Sequence, residues 1–447
     1  MRRVTVGLVL VLASAGLFAQ QNRIDVVTPS APELAAHGPL DIGVRTLQVT
    51  DRNRPDILTT RDGGPVARYD RTLTLEVWYP AAFAAGQQPG GEYRVITRDP
   101  AITATIQGKA VRDAAPKPGG GGPDAPKPGG GGYPLVIISH GYPGNRYLMS
   151  HLGENLASKG FVAVSIDHKD STYDDQKAFG STLYNRSFDQ LFVLDEIDRQ
   201  GKAGSGSFLA GLVDASRTGI VGYSMGGYGV VNVIGGGYSD TSVAGAQAPP
   251  NQLLAERAAS NPAYQKARDA RIKAAVAIGP WGMQAGYWDA EGLQGIRTPV
   301  LFVAGSADET SGYERGPRAI FQGAVNADRY LLTFINAGHN AAAPMPAPAE
   351  SYRASGTGTP GFTHYADPVW DTARMNNILH HFATAYFGLY LKGEQDKQAY
   401  FDVVPNGKDG VYAIDRDGKA LPTHTYWKGF RRGTAVGLML ERAKAQG

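Results

Sequence analysis

From residue 135 onward the chain alternates short apolar runs, at 135–139, 161–166, 218–223, 272–278, 299–304 and 330–335, with stretches of helical character. Strands that are apolar on both sides, each returned by a helix, fit a parallel sheet covered on both faces. The helical stretches fall at 149–159, 186–199, 226–234, 251–268 and 316–325. A longer one, 371–391, carries aliphatic and aromatic residues on helical spacing and is expected to pack back on the sheet. Upstream, 44–50 and 71–79 alternate or carry β-branched residues and predict an opening meander, with 93–97 as a third strand. Downstream, 401–404 and 411–414 predict a small hairpin, and 434–444 a final helix.

Before the first buried strand, Ala115-Pro-Lys-Pro-Gly-Gly-Gly-Gly recurs ten residues later from Ala125. A Pro/Lys/Gly tract cannot bury a side chain set, so 115–132 reads as a flexible surface loop. It does not read as a domain linker, because the strands before it have no core of their own. The expected organisation is one α/β domain over 20–447, with a C-terminal extension from about 400.

Composition removes several chemistries. The chain has no cysteine, which excludes a thiol nucleophile, a Cys-ligated zinc or iron–sulfur site, and a disulfide. Lys+Arg 44 against Asp+Glu 41 gives a net charge of +3, which leaves no basic stripe for nucleic acid. At the N-terminus, Arg2 and Arg3 precede an uncharged run over 4–19 with Ala13, Ser14, Ala15 and Ala19 near its end. The run is shorter than the roughly 20 apolar residues of a membrane span, and its small-residue exit suits signal peptidase. We therefore expect a signal peptide over 1–19, a secreted or periplasmic protein, and no integral membrane segment once the signal is removed. Loss of Arg2 and Arg3 lowers the net charge to about +1.

The chemistry concentrates at Gly222-Tyr223-Ser224-Met225-Gly226, a G-x-S-x-G. In so glycine-rich a chain, roughly 0.3 matches to that pattern arise by chance, so context has to carry it. Here a strand ends at Tyr223 and a helical stretch opens at Gly226. A strand-to-helix turn this tight presents Ser224 on a strained backbone, and side chains two residues either side would collide. A serine hydroxyl needs a base to take its proton and an acid to orient that base. In this architecture both follow later strands, acid before histidine. The strand at 299–304 runs into Asp308 and the strand at 330–335 into His339, which makes them the expected acid and base. Glu309 is the rival acid, and His364, in a Pro/Gly-rich loop, the rival base. His380, His381 and His424 lie in or beyond the C-terminal helix, where histidines more often pack or cap.

An acyl-transfer intermediate needs two backbone N–H donors. Met225 supplies one at the start of its helix. The strand at 135–139 leads into His140-Gly141-Tyr142-Pro143-Gly144, which points to the N–H of Tyr142 as the other. His140 reads as a hydrogen bonder that braces this loop. His168 reads as rim or structure, since no second histidine at ligand spacing suggests a metal.

The segments Ser-His-Gly-Tyr-Pro-Gly from Ser139, Asp167-His168, Gly-Tyr-Ser-Met-Gly-Gly from Gly222, Gly-Ser-Ala-Asp ending at Asp308, and Gly-His ending at His339 together resemble the dienelactone-hydrolase branch of the α/β-hydrolases. Within it the chain is similar to bacterial secreted proteins like platelet-activating-factor acetylhydrolase, and to cutinase-like polyester hydrolases. The resemblance spans roughly 40–400 and implies an α/β-hydrolase fold, a mostly parallel central sheet with helices on both faces. It implies Ser224 as nucleophile, His339 as base, Asp308 as acid, Tyr142 and Met225 as oxyanion donors, and a substrate-facing aromatic at Trp281. Tyr142 and Trp281 both follow strand ends on the side of Ser224, so their rings could flank the acyl group. The chain departs from the polyester hydrolases in lacking a disulfide.

The expected function is an exported serine hydrolase that cleaves carboxylic esters through an acyl-enzyme, without metal or organic cofactor. Its substrate would be a small-molecule, lipid or polymer ester. A lipase, phospholipase or polyester hydrolase uses the same triad, and only acyl and leaving-group contacts separate them. A nucleophilic aspartate is disfavoured because Ser224 occupies the elbow. A catalytically inactive binding module is the alternative from a different class.

Overall fold

A computed structural model of the chain describes residues 22–119, 131–353 and 361–446. The expected signal peptide at 1–19 and the tract centre at 120–130 lie outside the described residues.

The main sheet has eleven strands. Its middle runs Arg329–Phe334, Val300–Gly305, Ile272–Ile278, Val213–Tyr223, Tyr133–Ser139 and Val162–Asp167, each parallel to its neighbour. Arg68–Ala82 and Asp41–Pro55 extend it antiparallel on one side. This is the mostly parallel sheet that the alternation of apolar runs predicts, and it agrees with the α/β-hydrolase fold that the resemblance implies. Side chains alternate across the sheet and divide the interior into two cores. Val136, Ile138, Val276 and Leu301 face the helices Ser150–Ala157 and Thr372–Lys392, while Leu135, Ile137, Ala275 and Val300 face Phe179–Gly201 and Met225–Val233. Asp371 caps the long C-terminal helix by accepting the Arg374 N–H, and left-handed Gly393 ends it.

Four expectations are corrected. The strand at 93–97 forms as Gly91–Ile96, but it pairs with Thr103–Gly108 in a separate three-stranded sheet with Asn22–Arg23. The stretch 251–268 is broken: Asn251 and Gln252 adopt positive φ, and Pro262 starts a short helix capped by Asn261. The hairpin at 401–404 and 411–414 does not form. Phe401 is instead buried against Tyr330 and Phe382, and the carbonyls of Val404 and Pro405 accept from Trp427 and Leu440. The final helix at 434–444 is a strand, Leu438–Ala443, antiparallel to Arg329–Phe334. Pairing along an open sheet edge, with Leu438 and Leu440 buried on alternate positions, overrides the helix propensity of that segment. Among the described residues no helix is long and apolar enough to cross a membrane.

Candidate active site

Parallel strands bring their carboxyl ends to one edge of a sheet, and loops following them converge there. Ser224 leaves Tyr223 with φ 53° and ψ −115°, a conformation that L-residues rarely adopt. The turn is held from both sides, since the Ser224 N–H donates to Ile278 and its carbonyl accepts from Tyr228 and Trp281. Its glycines are there for space. A Cβ on Gly222 would lie 2.2 Å from the Gly226 oxygen, and one on Gly226 would lie 2.0 Å from the Ser139 oxygen.

Asp308, His339 and Ser224 stand in one hydrogen-bonded line. Ser224 Oγ is 2.9 Å from His339 Nε2, and His339 Nδ1 lies 2.9 and 3.0 Å from the two Asp308 carboxylate oxygens. With the aspartate as acceptor, the imidazole proton sits on Nδ1, which leaves Nε2 free to accept from the serine. Asp308 is 4% exposed and Ser224 7% exposed. The Asp308 carboxylate is steadied by the N–H groups of Thr310 and Ser311 at 2.9 and 2.8 Å. Tyr223 packs its ring on the His339 imidazole, centroids 5.2 Å apart, and its hydroxyl donates to Asn340. Asp367 accepts the Gly338 N–H at 2.7 Å and fixes the loop that carries the histidine.

The rival residues take no part in that line. Glu309 sits exposed beside Gly338 without a bond to His339. His364 lies on the cleft wall, packed edge-on against Tyr173 and Tyr365, and its Nε2 is buried with no hydrogen-bond partner. Burial foremost, with Arg98 and His339 nearby, pushes the His364 imidazole down to about 3, so it is neutral.

The loop after Tyr133–Ser139 lies against the serine: a Cβ on Gly141 would come 3.2 Å from the Ser224 Cβ. Tyr142 lines the cleft, and Met225 opens its helix, whose first-turn N–H groups have no intrahelical acceptor. Buried polar groups brace this loop. His140 Nε2 accepts the His168 N–H, and the His140 carbonyl accepts from Arg186 at 2.7 Å. His168 spans the 2.8 Å to Ser139 Oγ and the 3.0 Å to Asp189, whose carboxylate also takes Arg71. Burial pushes His168 down to about 3 and His140 well below its ordinary value, while Arg71, foremost among its neighbours, holds Asp189 low against its burial.

Trp281 is not among the residues lining the cleft. Its ring packs edge-on against Phe179 at 5.4 Å and on Tyr287 and Tyr228, and Phe179 in turn meets the Tyr142 ring at 5.3 Å. The cleft itself, about 1370 Å³, is walled by the triad loops, the turn at 98–101 and the segment at 361–368. Sequence reasoning missed Asp367, the Tyr223 platform and the turn at 98–101. Only the Asp99-Pro100 turn signal was local enough to be seen.

Sheet order and the strand–Ser224–helix elbow are those of the α/β-hydrolase fold. The PET hydrolase-like family model matches residues 91–253, the part that holds Tyr142 and Ser224. Cutinase est1 of Thermobifida alba is 31% identical over 26% of this chain and 34% of its own length. Bis(hydroxyethyl) terephthalate hydrolase of Streptomyces coelicolor is 26% identical over 46% of this chain and 49% of its own length. The chain thus spans about a third to a half of these curated relatives. Among solved structures, a ferulic acid esterase from Streptomyces cinnamoneus superposes with a TM-score of 0.50, covering 81% of this chain and 94% of that one at 21% identity, which bears on the fold alone.

Proposed function

We propose that this chain hydrolyses carboxylic esters through an acyl-enzyme. The supporting observation is the unbroken hydrogen-bonded line from Asp308 through His339 to Ser224. His339 takes the hydroxyl proton as Ser224 attacks the ester carbonyl, then returns it to the leaving alcohol. Asp308 holds the imidazole tautomer and stabilises its cation. The N–H groups of Met225 and Tyr142 receive the developing oxyanion. Water, activated by the same histidine, then releases the acid and restores the serine.

The relatives named as a cutinase and a bis(hydroxyethyl) terephthalate hydrolase support polymer-type or aromatic esters as the substrate class. We assign the Tyr142 ring to the acyl pocket, with Trp281 supporting it through Phe179. Arg2, Arg3 and the run that follows support export. An ester panel of increasing acyl length, run on the native chain and on Ser224→Ala, tests the activity. Turnover that survives in Ser224→Ala, or none by the native chain, would refute it. The N-terminal sequence of protein recovered outside the cytoplasm tests export, and an intact Met1 would count against it.

A further inference from the structure

We propose, building on the ester-hydrolase reading, that the cleft selects esters bearing a carboxylate, which Arg98 binds. The small sheet places this arginine. Its strands Gly91–Ile96 and Thr103–Gly108 end in a turn closed by the Thr97 N–H to Ile102 and the Ile102 N–H to Asp99, both 2.9 Å. Asn145, on the loop after the Tyr133–Ser139 strand, donates to the Ile96 carbonyl at 2.9 Å. The Arg98 N–H itself donates to the buried Tyr365 hydroxyl at 2.9 Å. The backbone at Arg98 is therefore pinned to the rim of the serine cleft from two directions.

The side chain is treated differently. Arg98 is half-buried and lines the same cleft as Ser224 and His339, yet among the described residues its guanidinium has no hydrogen bond, ion pair or ring contact. By contrast Arg71 and Arg146 each hold carboxylates. Two acids of the cleft, Asp99 and Asp367, are used elsewhere, and none of its acids is paired with Arg98. Asp99 accepts the Ala101 N–H, Asp367 accepts the N–H groups of Gly338, Val369 and Trp370, and Glu309 stands beside Gly338. A guanidinium that faces the cleft without a counter-ion keeps its fork of N–H donors free, and a planar carboxylate can take two of them in parallel. Gly361, at the start of the turn carrying His364, lies next to Arg98: a Cβ there would be 4.0 Å from the Arg98 Cβ. The unpartnered Nε2 of neutral His364 offers a further hydrogen bond without adding charge.

The test compares matched ester pairs. On the acyl side, mono-4-nitrophenyl glutarate is set against 4-nitrophenyl pentanoate. On the alcohol side, 3-acetoxybenzoate is set against 3-acetoxytoluene. In at least one pair the native chain should favour the carboxylate in kcat/KM by roughly tenfold, and Arg98→Gln should erase that ratio. Arg98→Lys should keep part of it, and rising NaCl should shrink it in the native chain. A native ratio near one in both pairs, or an unchanged ratio in Arg98→Gln, overturns the proposal. If neither ester is hydrolysed, the activity reading itself fails. Calorimetric binding of N-phenylglutaramate against N-phenylpentanamide to the native chain and Arg98→Gln then decides the arginine's role separately: preference for the acid, lost in the variant, upholds it, and equal binding refutes it.

Discussion

His140 donates from Nδ1 to the carbonyl oxygen of Gly141 at 2.6 Å, while its Nε2 is occupied by the His168 N–H. With both nitrogens committed, the ring cannot rotate, and it fixes which way the Gly141–Tyr142 peptide plane faces. Because C=O and N–H point oppositely across a planar peptide, the Tyr142 N–H is turned away from His140. We expect His140→Ala to lower kcat by roughly ten- to a hundredfold with little change in KM, the pattern of a lost transition-state contact. Equal falls in kcat/KM and melting temperature with kcat preserved would reduce His140 to scaffold.

The triad carries its own prediction. Ser224→Ala and His339→Ala should each cost at least roughly a thousandfold in kcat without altering the circular dichroism of the native chain. Asp308→Asn should be severely impaired, because the amide presents the wrong partner to Nδ1. Glu309→Gln should stay within a few-fold of native, and a dead Glu309→Gln beside an active Asp308→Asn would reverse the assignment of the acid.

Acid should unfold this protein early. Burial pushes His37 and His151 down to about 4 and His364 and His381 down to about 3, with His140 and His380 well below the ordinary range. The unfolded chain protonates the same groups near 6.5, so below that pH it binds more protons than the folded one. Stability from these groups is present above pH 6.5 and drains away as pH falls toward 4 and 3. Calorimetric melting temperatures should therefore drop steeply between about pH 6.5 and pH 4. A flat profile over that interval would contradict the burial of these rings as neutral groups.

Trp281 tests whether the second layer of aromatic rings reaches the substrate. Its truncation removes the support of Phe179 and through it of Tyr142. We expect Trp281→Ala to lower kcat/KM for benzoate esters by roughly tenfold, about 1.4 kcal/mol, and for acetate esters much less. Equal losses for both, with a lower melting temperature, would make the ring a packing element only.

The buried middle of the sheet and the line of Asp308, His339 and Ser224 are legible in the sequence for a local reason. Each of the three residues lies within four residues of the end of an apolar run, and strand ends in a parallel sheet meet at one edge. The errors arise where long-range pairing decides. Leu438, Met439, Leu440 and Glu441 are good helix formers, and only the open edge at Arg329–Phe334 makes them a strand. The run from 251 breaks where Asn251 and Gln252 take positive φ and where Pro262 opens a new short helix. Arg98 has no local signature of a site, because its significance depends on Tyr365 and His364, more than two hundred residues away.

The two segments that wall the cleft opposite in sequence to the chemistry, the turn at 98–101 and the stretch at 361–368, contain none of the reacting residues. The turn at 98–101 is thus encoded apart from the machinery, while 361–368 also holds the histidine loop through Asp367. An exchange of the four residues at 98–101, in a turn hung from a small accessory sheet, would redirect which esters enter without shifting Ser224, His339 or Asp308. Descent with altered diet would then require no rebuilding of the nucleophile turn, the most strained part of the chain.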